Sequence, residues 1–173
     1  MRKIINIANT KASIAYLSSV KNNRFVPFAI RIINSHIVDL NKRIGKNLFN
    51  KDALYINSET LWEIMQPQGN KKSHNIHGLT ELDIYESIKE ISEPYCVIRG
   101  KMNRYTIITS TICHFNKQLF LILEVDAGLI QNFSAKIIKI VTIYPKSQLD
   151  AYIARQSKED ILYIKNEHQY RHQ

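Results

Sequence analysis

The chain of 173 residues carries 24 Lys+Arg against 15 Asp+Glu, a formal net charge of +9, with 45% apolar residues and only 5 Gly and 4 Pro. That length and apolar fraction suit one domain with a sizeable core and exclude wholesale disorder. No apolar run nears the roughly 18 residues of a membrane helix, and two cysteines, Cys96 and Cys113, cannot build a disulfide framework or a four-thiolate zinc site.

The N-terminus opens with Arg2 and Lys3 like a secretory signal, but Asn6, Asn9, Thr10 and Lys11 interrupt the apolar stretch that should follow. A cytoplasmic protein with reduced, buried thiols is the expectation. The charge is lopsided. Residues 1–50 hold nine Lys/Arg and one acid, Asp39, while residues 51–173 come out at only +1. Such a basic segment suits an anionic partner, whether nucleic acid, an acidic protein or a membrane surface.

In chain order, Ile30, Ile33, Ile37, Leu40 and Ile44 recur at spacings of three and four and predict a helix. Pro27 suits its start and Gly45 its end. A weaker apolar stripe over residues 3–20 predicts another helix, so residues 1–45 read as a basic helical segment ahead of an α+β domain over 46–173, the two expected to form one compact unit. Ala53–Ile56 is a short strand. Ser58 is placed to cap a helix carrying Leu61, Trp62, Ile64 and Met65, which Pro67 ends. A polar loop from Gln68 to Gly78 follows. Thr80 and Asp83 form an acidic capping box for a helix with Leu82, Tyr85 and Ile88, closed by Pro94.

Strands then dominate. Tyr95–Arg99 and Arg104–Thr111 flank the hairpin loop Gly100-Lys101-Met102-Asn103. Gln118–Val125 and Ile137–Tyr144 are two more strands, joined by a loop containing Gly128. A short helix over Leu149–Gln156 and a strand Ile161–Lys165 close the chain. Helices first and an antiparallel meander after is the α+β pattern.

The chemistry narrows by elimination. His74-x-x-His77 has metal-ligand spacing but no thiolate or third histidine near it, so no metal is expected. No phosphate-cradling Gly-rich loop, dinucleotide fingerprint or Gly-x-Ser-x-Gly elbow is present, and no cofactor is expected. Glu124 and Asp126 share a strand face but read as a solvated edge. The remaining His, Arg, Lys, Tyr and Thr suit metal-independent RNA cleavage. There the 2′-hydroxyl attacks its own phosphodiester, and the protein supplies a base, an acid and cations for the phosphorane.

The order of motifs sharpens this. Leu54-Tyr55-Ile56-Asn57-Ser58-Glu59-Thr60-Leu61-Trp62 is followed by His77-Gly78-Leu79-Thr80. Ser92-Glu93-Pro94-Tyr95-Cys96-Val97-Ile98 comes next, and late in the chain Ile140-Val141-Thr142-Ile143-Tyr144-Pro145-Lys146. This resembles the phage barnase-like domains, including those at the C-terminus of phage Mu-F-type head proteins, in the nuclease superfold that groups barnase, EndoU, colicin and RelE-type toxins. The resemblance spans roughly residues 40–165. It implies N-terminal helices packed on a four- to five-stranded antiparallel sheet, with RNA cut on the open sheet face to a 2′,3′-cyclic phosphate. Structured RNA such as a tRNA anticodon loop is the implied substrate.

By the same resemblance the site residues are His74 or His77 as acid/base, with His74 preferred, Arg99 as a phosphate cation, Thr142 and Tyr144 against the scissile phosphate, and Lys146 as a transition-state cation. His77 is expected to shape the turn before its helix. The chain departs from the pattern at Gln66-Pro67, where such domains often carry another histidine, and in the long polar stretch from Pro67 to Ser73. A toxin-like ribonuclease would also imply a neutralising antitoxin or immunity partner and delivery into a target cell. Two other readings stay open on the same scaffold: a non-catalytic nucleic-acid-binding module, and a phage-associated protein-interaction module whose basic segment docks an acidic partner.

Overall fold

A computed structural model describes residues 3–8, 28–33, 39–49, 53–67, 76–128 and 136–165. The fold is α+β, built on one mixed sheet. Its strands are β1 (Lys3–Ala8), β2 (Phe28–Ile33), β3 (Ala53–Asn57), β4 (Cys96–Arg99), β5 (Arg104–Ile112), β6 (Gln118–Gly128), β7 (Lys136–Lys146) and β8 (Ile161–Ile164). The helices are α1 (Asp39–Ile44), α2 (Ser58–Met65), α3 (Glu81–Lys89), continued by a 3₁₀ turn Glu90–Ser92, and α4 (Leu149–Ala154). Strand order across the sheet is β1-β2-β3-β7-β6-β5-β4-β8.

β4 to β7 form the expected antiparallel meander. The wider expectation of a four- to five-stranded, wholly antiparallel sheet is corrected on two counts. Three strands from the first third of the chain and β8 enlarge the sheet, and β1–β2 and β3–β7 pair in parallel.

Of the helical reading of the first 45 residues, the structure keeps Asp39–Ile44 and replaces two other stretches with strands. Lys3–Ala8 and Phe28–Ile33 are strands in the same sheet as the meander. The isoleucine stripe is split between two elements, with Ile30 and Ile33 in β2 and Leu40 and Ile44 in α1; Ile37 and residues 9–20 lie outside the described residues. Ile30, Ile32 and Ile33 are β-branched, and such side chains suit a pleated strand better than a helix.

Two apolar layers sandwich the meander. On one face α1, α2 and α3 cover Val97, Ile107, Leu121 and Ile143 with Leu40, Leu61, Ile64, Ile84 and Ile88. Each such side chain withdrawn from water contributes about 1.5–3 kcal/mol. On the other face α4 lays Ile153 on Cys96, Ile98, Ile108 and Phe120, with Tyr144 and Tyr152 at the margin. Burial raises the Cys96 thiol to about 12, so it packs as an inert small hydrophobe.

Local signals explain the helix ends. Thr80 accepts from the Asp83 amide and Asp83 accepts from the Thr80 amide, the predicted box that starts α3. At α2 the N-cap is Asn57 rather than Ser58, and Gln66 is extended ahead of Pro67, as a residue before proline must be. Leu82, assigned above to the apolar stripe of α3, is 56% exposed, and Ile84 and Ile88 form the buried side.

β7 carries one feature that governs the site. Opposite it, Ile122 pairs with Thr142 while the next residue, Leu123, pairs with Ile140. Val141 is therefore surplus, a bulge in the middle of the strand. Ile138, Ile140 and Ile143 all enter the helix-covered core, and Tyr144 is left with the opposite layer.

Candidate functional site

The site forms where the segment before α3 passes the C-terminal half of β7. β3 is registered to β7 only at Leu54–Ile138 and Tyr55–Lys139, after which α2 leads the chain away from that edge. Residues 76–80 return there. Leu79 fills the core and donates its amide to the Ile64 carbonyl at 3.0 Å. Gly78, at φ +66°, makes the turn immediately after His77, a conformation that favours glycine. With the capping box beyond Leu79, the segment fixes the His77 backbone on its C-terminal side.

His77 Nε2 lies 3.4 Å from Thr142 Oγ1, with the donor set by the imidazole tautomer. Its ring centroid is 5.9 Å from that of Tyr144. Desolvation by burial lowers the His77 pKa below its ordinary 6.5, so the imidazole is neutral at pH 7 and can accept a proton.

Tyr144 continues the cluster inward. Its ring is 5.5 Å from Phe120, which meets Tyr152 of α4 edge-on at 5.1 Å. Burial, reinforced by the Tyr152 phenol, pushes the Tyr144 phenol far above its ordinary value. Tyr144 therefore keeps its proton and serves as a hydrogen-bond donor. Lys146 Nζ stands 4.7 Å over the Tyr152 ring, a cation–π contact that holds the charge at the end of β7.

The sequence-selected residues separate accordingly. Thr142, Tyr144 and Lys146 gather along one strand end. Arg99 does not join them, which corrects the expectation of a single convergent face. It sits on β4, three strands and so about 14 Å across the sheet from β7. Its guanidinium donates to Asp160 Oδ1 at 3.1 Å and to the Glu159 carbonyl at 3.2 Å, tying the end of β4 to the turn before β8. His74 lies outside the described residues. His77, the second choice from sequence after His74, is the histidine beside Thr142. The dipeptide His77-Gly78 is the signal that could have singled it out, because a positive-φ glycine fixes the direction of the residue before it.

A second histidine was missed altogether. His114, on the β5–β6 turn, places Nδ1 2.7 Å from Asp83 Oδ2 and donates its backbone amide to Asp83 Oδ1 at 3.2 Å. Glu124 accepts from Arg104 Nε at 2.9 Å. Among the described residues no three metal-ligating side chains come together, and no helix is long and apolar enough to cross a membrane. No family model, curated protein or solved structure matches the chain.

Proposed function

We propose that the chain is a metal-independent endoribonuclease whose site is His77, Thr142, Tyr144 and Lys146. The observation that carries this reading is the neutral, half-buried His77 imidazole held 3.4 Å from the Thr142 hydroxyl at the edge of β7. In the proposed reaction His77 Nε2 takes the proton of the ribose 2′-hydroxyl. The 2′-oxygen bonds to phosphorus, the bond to the 5′-oxygen breaks, and that oxygen takes a proton from solvent. The products are a 2′,3′-cyclic phosphate and a 5′-hydroxyl.

Thr142 and Tyr144 orient the phosphate by hydrogen bonds, and the Lys146 ammonium offsets the charge gained in the transition state. Arg99 has no part in it, being committed to Asp160. The element order supports the barnase-like reading, since α2 and α3 precede the β4–β7 meander as that resemblance requires. β1–β3 and β8 extend the sheet on either side of it.

Purified protein incubated with total tRNA in excess EDTA tests the proposal, with end-group analysis for the cyclic phosphate. His77→Ala should lose about 10²- to 10⁴-fold in cleavage with an unchanged circular dichroism spectrum; His74→Ala beside it separates the two histidines. Undiminished cutting by His77→Ala would overturn the assignment. A second reading, RNA binding without turnover, is favoured by one fact. The excess positive charge lies in residues 1–50, a segment of the sequence that contains none of the four proposed site residues. It would appear as a complex that weakens steeply with salt while the RNA stays intact.

A further inference from the structure

Of the large apolar side chains exposed among the described residues, three belong to the two segments that the Asp83–His114 contact joins. Ile112 (56% exposed) and Phe115 (40%) flank His114 on the β5–β6 turn, and Leu82 (56%) precedes the Asp83 that holds it. Isolated exposed apolar residues are ordinary, but a cluster around an anchored ring is not. The His114 and Phe115 rings lie 3.8 Å apart between centroids, tilted by 41°. The imidazole cannot drift from this pose easily, because Asp83 Oδ2 sits 2.7 Å from Nδ1 and is itself only 8% exposed.

The turn is equally fixed. The Asn116 amide donates to the Cys113 carbonyl at 2.8 Å, and the Cys113 amide to the Lys117 carbonyl at 2.9 Å. Asn116 takes the left-handed position at φ +56°, where asparagine is tolerated. A rigid aromatic pair therefore stands exposed without needing to be ordered on binding.

Its surroundings carry cations. Lys117 is exposed in the same turn. Gln118 pairs with both Ile112 and Lys146, so the turn and Lys146 stand at the same end of the sheet. The Asp83 carboxylate beside the platform is already spent on Thr80 and His114.

We propose that the β5–β6 turn is a stacking site for an unpaired nucleobase of single-stranded RNA. Phe115 and His114 present the aromatic surface, and Lys117 and Lys146 meet the adjoining phosphates. This deepens the RNA reading above and rests on it. Stacking tolerates any base but requires the base to be out of a duplex.

The test is fluorescence anisotropy with a labelled 2′-O-methyl RNA strand, which lacks the attacking hydroxyl and cannot be cut, and with its duplex. Phe115→Ala should weaken single-strand binding roughly tenfold, Phe115→Trp should restore it, and duplex binding should not change. Exposed Phe115 leaves the fold intact, which a thermal melt checks. Equal binding by Phe115→Ala and wild type overturns the stacking site alone, while tRNA cleavage by the wild type keeps the ribonuclease reading standing. A wild type that neither binds the strand nor cuts tRNA overturns both. Self-association lost in Phe115→Ala, with no RNA affinity in either protein, would make the patch a protein contact and overturn the proposal.

Discussion

Four hydrogen-bonding groups converge on the Asp83 carboxylate: the Thr80 amide and hydroxyl, and the amide and ring of His114. Burial alone would raise its pKa, but these hydrogen bonds outweigh it and bring the carboxyl below its ordinary 3.8. Between those two values the unfolded chain binds more protons than the folded one. The stabilisation is therefore complete above about pH 4 and is lost as pH falls through the lowered folded value. Asp83→Ala should cost about 1–3 kcal/mol at pH 7 and flatten this acid limb, as urea titrations at pH 7 and pH 3 would show. The half of this arrangement made by Thr80 was legible because its partner is three residues away. The half made by His114 was not, because its partner is 31 residues distant and only the fold brings them together. The Arg99–Asp160 pair is likewise distant in sequence. A lone arginine at a strand end gives no sign in sequence that Asp160 will claim it.

Elements were legible where punctuation was strong. Pro67, the Thr80–Asp83 box and the Gly100–Asn103 loop each marked a boundary that the structure keeps. In the first 45 residues an Ile-rich run let helical spacing span two elements, and no internal proline or glycine stood between Phe28 and Ile44 to separate them. The end of α1 is the exception. Gly45 follows Ile44 at φ +64°, and an added Cβ would meet nothing within 4 Å. Gly45→Ala should therefore cost about 1 kcal/mol through backbone strain alone, read as a lower urea midpoint with unchanged slope. A loss several-fold larger would mean that α1 depends on more than its terminal turn.

At the scale of the molecule, the sheet joins what the chain separates. β3 lies beside β7, and β8 closes on β4 rather than on its predecessor. Such pairings between distant segments leave no periodicity to read, which is why a local reading recovered the meander and the strands β3 and β8 but missed β1, β2 and the neighbours that each of these strands takes. β7 is where the early strands and the meander meet, and Val141 divides it in two. Strict alternation would put Thr142 and Tyr144 on the side of Ile138 and Ile140; the surplus residue sends them to the other. The two halves of β7 thus run out of phase, and Val141 is the residue that absorbs the difference. Losing one residue from an interior strand ordinarily inverts everything beyond it. Here the deletion of Val141 would turn a phase-shifted strand into a regular one, with Ile140, Thr142 and Ile143 keeping their sides and partners. That variant should stay folded, its Tm lowered by no more than about 5 °C, whereas deletion of Leu121 from β6 should unfold the protein. One of the two central strands of this sheet would then tolerate becoming shorter while its neighbour does not.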